Sequence, residues 1–233
     1  MTSLLRRQLS AALISITGFF GLCVTPCHAT FMQIPLPDAA YTSSTTLIPI
    51  TGADGDTTLT LSDANLTVTF SALMQEFTVP TSWSNWGSPP TVETSTPRVL
   101  SPVDFLTTTS VTLSFSQPLT VFGLEAEPDA FEGTFPVRLD FFNGVTPLGT
   151  VSNDLTGFGA ALFAASATTP ITSVTLTIQG NAQDPAGTDP GIAQIRYALA
   201  GTQSVPEGGP SLWLVVITVV ALLMVHRLRY ARS

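Results

Sequence analysis

The chain has 233 residues, 44% of them hydrophobic and only 10% charged, with eight basic against sixteen acidic side chains and a formal net charge of −8. A chain of this length can bury one sizeable core, and so acidic a balance excludes nucleic acid as a partner, because phosphate recognition needs a basic footprint. The two cysteines, Cys23 and Cys27, both sit near the amino end, so the remainder of the chain can build neither a disulfide nor a thiolate metal site.

At the amino end, Arg6 and Arg7 precede an apolar stretch over residues 9–24, and Cys27-His28-Ala29 supplies small-residue character before Thr30. This order of charged, apolar and cleavage regions predicts a secretory signal helix over residues 1–29, removed after Ala29 by signal peptidase. The exported domain then runs over residues 30–204. Within it Arg98, Arg138 and Arg196 face fifteen acidic residues, and Lys, His and Cys are absent. Without those three residue types no Ser-His-Asp or Cys-His arrangement can form, so the domain is expected to be non-enzymatic.

The pattern of the domain is that of strands. Leu59 and Leu61, then Leu66, Val68 and Phe70, then Val111, Leu113 and Phe115 alternate with Thr or Ser. The same period of two returns at Val137, Leu139 and Phe141, at Val174, Leu176 and Ile178, and at Ile195, Tyr197 and Leu199. Helical periodicity is not visible. Asn143-Gly144, between two apolar runs, predicts a tight hairpin turn. Many short strands with Gly and Pro punctuation predict an all-β fold, a two-layer antiparallel jelly-roll-like sandwich.

One long segment, residues 80–102, shows no strand pattern and holds both tryptophans of the domain, Trp83 and Trp86. Loops of that length inside compact domains are functional or covering. The two indoles offer a stacking platform for sugar rings in an extracellular polysaccharide; the alternative is that they tuck under the loop and cap the sandwich.

Further on, alternation over residues 121–128 turns Phe122, Leu124 and Ala126 inward and places Glu125 and Glu127 together on the outer face. Carboxylates two apart on a strand lie about 7 Å from one another, a spacing that suits calcium or glycoside hydrolysis but is most simply solvated surface. Glu125, Glu127 and Asp129 are therefore the candidate metal ligands, calcium is the one candidate ion, and no cofactor is expected. The acidic turns Asp54-Gly55-Asp56 and Asp184-Pro185-Ala186-Gly187-Thr188-Asp189 lack the regular ligand spacing of a calcium loop.

The carboxyl end closes with Val205-Pro206-Glu207-Gly208-Gly209-Pro210-Ser211, an uncharged apolar run over residues 212–225, and Arg227, Arg229 and Arg232. The run predicts a transmembrane helix over residues 211–226 with a basic cytoplasmic tail over 227–233 and the domain on the opposite side. Pro206 disfavours helix before it, and Gly208-Gly209 leave the chain extended and accessible above the membrane.

This tripartite layout resembles the PEP-CTERM sorting signal of Gram-negative bacteria, with Gly208 where the commonest pattern has a second proline. The resemblance implies processing by an exosortase-type membrane protease. Phe122-Gly123-Leu124-Glu125-Ala126-Glu127-Pro128, Asp140-Phe141-Phe142-Asn143-Gly144, Leu162-Phe163-Ala164-Ala165-Ser166 and Ile192-Ala193-Gln194-Ile195-Arg196-Tyr197 are similar to the β-sandwich ectodomains found upstream of such signals. The expectation is thus an exported envelope protein, held at the inner membrane with its domain in the periplasm and then sorted to the cell surface or extracellular matrix. The alternative expectation is a carbohydrate-binding module acting through Trp83 and Trp86.

Overall fold

A computed structural model of the chain describes residues 30–104, 108–157, 159–181 and 187–201. The predicted signal with Ala29, the motif Val205, Pro206, Glu207, Gly208 and Gly209, the predicted membrane helix, and Arg227, Arg229 and Arg232 lie outside the described residues. Among the described residues no helix is long and apolar enough to cross a membrane.

The fold is all-β and antiparallel. Its elements are β1 (Phe31–Ile34), α1 (Ala39–Ser44), β2 (Thr46–Leu47), β3 (Thr57–Ser62), β4 (Thr67–Thr78), β5 (Arg98–Pro102), β6 (Ser110–Pro128), β7 (Thr134–Asn143), β8 (Thr146–Thr156), β9 (Ala161–Ile178) and β10 (Pro190–Leu199). Hydrogen bonding joins them in the order β2-β10-β5-β4-β6-β9-β7-β8, with β3 on β4 and β1 on β9. Every alternating stretch read from the sequence falls in a strand, apart from Leu66, which stands just before β4. Missed were the short elements: β1 and β2, β5 at the end of the segment expected to be irregular, and α1, a single N-capped stretch in which Asp38 Oδ1 accepts from the Tyr41 backbone N–H at 2.8 Å.

Two long strands organise the sheet. Ser110–Ser114 of β6 runs beside β9 residues 173–177, the pairing then shifts around Leu119, and Val121–Ala126 runs beside β9 residues 161–166. The same irregularity lets β6 change its other neighbour, from β4 at Leu113–Phe115 to β10 from Leu119 onward. Such interruptions bend a strand and increase its twist. As a result both halves of β6 point Val111, Leu113, Phe122, Leu124 and Ala126 into one apolar core, with Val68 and Phe70, Val137, Leu139 and Phe141, Val174, Leu176 and Ile178, and Ile195 and Tyr197.

Two details depart from the expected pattern. Leu59 is 50% exposed, because the β3–β4 ladder is interrupted between Thr58 and Thr60, leaving Leu61 alone to reach the core. The β7–β8 hairpin forms one residue later than expected: Asn143 still pairs with Thr146, and the turn is Gly144-Val145, with Gly144 at φ +57°.

Candidate functional site

The outer face of β6 carries Glu125 and Glu127 as the alternation predicts, but neither carboxylate is solvated. Both are buried, at 0% and 1% exposure, because the segment between β4 and β5 lies over them. Its indoles are the reason it can. Trp86 Nε1 donates to Glu125 Oε2 at 2.7 Å and Trp83 Nε1 donates to Glu127 Oε2 at 3.0 Å, while the Glu93 backbone N–H donates to Glu125 Oε1 at 2.5 Å. Buried carboxylates are tolerated only where such donors replace water.

The strand beneath makes the room. Gly191 and Ala193 of β10 stand opposite Glu127 and Glu125, and a Cβ at Gly191 would lie 2.6 Å from Trp83 Cζ2. Two small residues therefore form the floor on which the rings rest. Trp83 packs edge-on against Trp86 with centroids 6.5 Å apart and, at 5.6 Å, against Phe77. With Val79, Val92, Val99, Ala160 and Ala193 they form an apolar cluster separate from the main core. Of the two readings of the tryptophans, the structure shows the one in which they tuck under the segment and not the exposed sugar platform: Trp86 is 1% and Trp83 8% exposed, and each ring spends its N–H on a carboxylate.

Ion pairs and hydroxyl groups fasten the cover at two further points. Asp54 accepts from Thr78 Oγ1 at 2.5 Å and Ser82 Oγ at 2.6 Å, so the Asp54-Gly55-Asp56 turn is a clasp for the start of the segment. Hydrogen bonds from Ser82 and Thr78 hold the Asp54 carboxyl below the usual carboxylate range. At the other end Arg196 Nε donates to Glu93 Oε1 at 2.6 Å, and its Nη1 reaches the Thr42 carbonyl at 3.2 Å, tying the cover to β10 and α1.

The two buried acids differ in what they have left to offer. Burial pushes the Glu125 carboxyl up to about 7, against the opposing hydrogen bonds from Trp86 and Glu93, and both of its oxygens are engaged. Burial likewise pushes Glu127 up to about 7; the Trp83 N–H opposes this and the charge of Asp129 adds to it. Glu127 Oε1, however, is buried without a hydrogen-bond partner.

Glu127 also lines a cleft of about 200 Å³ at the edge of the cover. Phe77, Trp83 and Phe131 give it aromatic walls, with Phe131 68% exposed, and Ser82, Ser84, Asn85 and Asp129 supply polar groups. Phe77, Asn85 and Phe131 carried no signal in the sequence, since each is unremarkable until the chain brings it beside Trp83. Among the described residues no group of three or more His, Cys, Asp or Glu side chains is disposed to hold a metal ion. Glu125, Glu127 and Asp129 do not form a ligand set, because the two glutamates turn to different indoles.

No family model matches the chain, and no curated protein matches it. Among solved structures, it is similar to the enzymatically active domain of tailspike protein 4 of bacteriophage CBA120, at 13% identity and a TM-score of 0.29, over 58% of this chain and 19% of that one. The chain therefore spans about a fifth of that domain. It is also similar to a family 11 carbohydrate-binding module from Clostridium thermocellum in complex with a β-1,3-1,4-mixed-linked tetrasaccharide, at 11% identity and a TM-score of 0.28, over 64% of this chain and 98% of that one. A second structure of a family 11 module, from the cellulase Lic26A-Cel5E, gives 10% identity and a TM-score of 0.24, over 60% and 90% of the two chains.

Proposed function

We propose that the domain is a non-enzymatic carbohydrate-binding module, a two-layer jelly-roll-like sandwich whose site is the cleft beside Trp83 and Glu127. The observation that carries this reading is the lining of the cleft. Aromatic rings that can face the C–H side of a sugar stand next to fixed polar groups that can meet its hydroxyls. A volume of about 200 Å³ is below the roughly 300–1,000 Å³ of drug-sized pockets, so the cleft takes one sugar ring of a longer chain at a time. Glu125 has no part in binding: its role is to hold the cover in place.

The test is calorimetric titration of the full chain in detergent with a panel of oligosaccharides, alongside Phe131→Ala. Phe131 is mostly exposed, so its truncation leaves the fold intact, and it is expected to weaken binding about tenfold, equivalent to about 1.4 kcal/mol. No binding across the panel, or a variant that binds like the parent, refutes the reading.

A second proposal rests on the ends of the chain. Arg6-Arg7 with the apolar stretch after them, and Val205 to Gly209 followed by an apolar run and three arginines, support an exported protein anchored by its terminal helix and processed by an exosortase-type protease. Pulse-chase with tags at both ends tests it. The carboxyl-terminal tag should separate from the domain only in a host expressing exosortase, and a tag that never separates removes the processing step.

A further inference from the structure

We propose that the cleft selects sugars bearing a free ammonium group, the amino sugars of a deacetylated polysaccharide, over neutral and acidic ones. The inference deepens the carbohydrate-binding reading and rests on it. Its first support is composition: the cleft sets Glu127 and Asp129 beside Phe77, Trp83 and Phe131, and no basic residue stands among its lining. Carboxylates next to aromatic faces are the two kinds of group that attract an ammonium, the first by charge and the second by the negative face of the ring. A uronic acid would meet only repulsion there.

The second support is independent of composition. Glu127 is 1% exposed, and while its Oε2 accepts from Trp83 Nε1, its Oε1 is buried with no partner. A buried carboxylate oxygen left unsatisfied is costly, and a donor arriving with a ligand removes that cost. An ammonium brings three N–H donors and the opposite charge, whereas a hydroxyl brings one donor and none. Glu125, on the same face one turn of the pleat earlier, shows the contrast, since Trp86 and the Glu93 N–H already occupy both its oxygens.

The site also couples binding to proton release. The acid that acts on Glu127 is Asp129, just past the end of the same strand, and Asp189, which precedes β10, acts in turn on Asp129. From the cover the neighbour is the Trp83 N–H, and from β10 it is Gly191. Burial raises Glu127 to about 7, so at pH 5.5 the unliganded carboxyl is mostly protonated and at pH 7.5 mostly charged. Preference for the ammonium ligand should accordingly strengthen from pH 5.5 to pH 7.0, above which loss of charge from the sugar amine opposes the gain.

The experiment titrates the full chain in detergent with chitosan hexasaccharide, its fully N-acetylated counterpart and cellohexaose, at pH 5.5 and at pH 7.0, where the sugar amines still carry enough charge to bind. The expected result is at least tenfold tighter binding of the deacetylated hexamer at pH 7.0, with a smaller ratio at pH 5.5. In Glu127→Gln, which keeps an oxygen for the Trp83 N–H, the ratio should fall toward one, and Asp129→Asn should lower it in part. Tryptophan fluorescence and circular dichroism identify any variant that fails to fold, in which case the other carries the test. Asp154→Asn, an exposed site on β8, should retain the full ratio; an equal fall there would mean diffuse attraction to an acidic surface and overturn the proposal. Equal or tighter binding of the N-acetylated or neutral hexamer overturns it too, while leaving carbohydrate binding standing. If none of the three hexamers binds, the amino-sugar proposal falls, and the wider panel decides the carbohydrate-binding reading.

Discussion

Two glutamates on one strand face carry different burdens, and substitution should separate them. Glu125 accepts two N–H groups, one on each oxygen. Glutamine offers a single acceptor oxygen and an NH2 that can only donate, so Glu125→Gln sets donor against donor at either Trp86 or Glu93. A buried donor stripped of its acceptor costs about 1–3 kcal/mol, offset at pH 8 by the removal of a buried charge in either amide variant, so the two variants are compared with each other by urea unfolding at that pH. Glu127 accepts from Trp83 alone, and its amide variant can turn its oxygen to that indole. Glu127→Gln should therefore cost less than Glu125→Gln, and the reverse order would mean that the hydrogen-bond assignments on this face are wrong. Trp86→Phe approaches the same contact from the other side. It keeps most of the ring's packing and removes the N–H, for an expected cost of about 1–2 kcal/mol with the remainder of the cover still seated.

At the scale of elements, the segment between β4 and β5 behaves as a cover laid on the sheet, and its seat is the small-residue floor of β10. Gly191→Ala would bring a Cβ within 2.6 Å of Trp83 Cζ2, and overpacking of this kind costs about 1–3 kcal/mol. Since the ring belongs to a cover and not to the main core, the expected response is displacement of the segment: a red-shifted tryptophan emission and earlier proteolysis between β4 and β5, with the far-ultraviolet circular dichroism of the sheet unchanged. Emission identical to the parent would show that the floor is not what positions the ring. The sequence made the strands legible wherever one face is apolar and the other Thr or Ser, as at Val137, Leu139 and Phe141, because period-two alternation is a local property. It also placed Glu125 and Glu127 correctly on the face away from the core. Their burial was not legible, because the covering donors Trp83 and Trp86 lie 44 and 39 positions earlier in the chain. No local pattern encodes a pairing at that range. α1 escaped for the opposite reason, since six residues are too few to show a helical period.

For the molecule as a whole, the acidic balance and the buried carboxyls combine into a dependence of stability on pH. Glu125 and Glu127 rise from 4.5 to about 7 in the folded state, chiefly through burial. Between those values the folded chain holds protons that the unfolded chain has released, so stability falls as pH rises, is greatest below about 4.5 with respect to these two groups, and levels off above about 7. Asp54 works in the other direction. Its hydrogen bonds with Ser82 and Thr78 lower its carboxyl, so its contribution is present above 3.8 and is lost as pH falls through the lowered value. The two trends place the optimum in mildly acid solution, around pH 4–5. From pH 5 to pH 8 the accumulating negative charge of the domain, where three arginines face fifteen acids, acts in the same sense as the two buried glutamates. With both carboxyls rising from 4.5 to about 7, the loss over this interval is about 5 kcal/mol, which at roughly 2–4 °C per kcal/mol for a domain of this size lowers Tm by about 10–20 °C. Thermal unfolding at 0.15 M salt, which screens the diffuse surface repulsion but acts little on buried groups, isolates the part due to Glu125 and Glu127. In Glu127→Gln the slope should be about halved, because one of the two proton-holding groups is gone. A Tm that is flat or rising between pH 5 and pH 8 would mean that the cover admits water to both carboxylates.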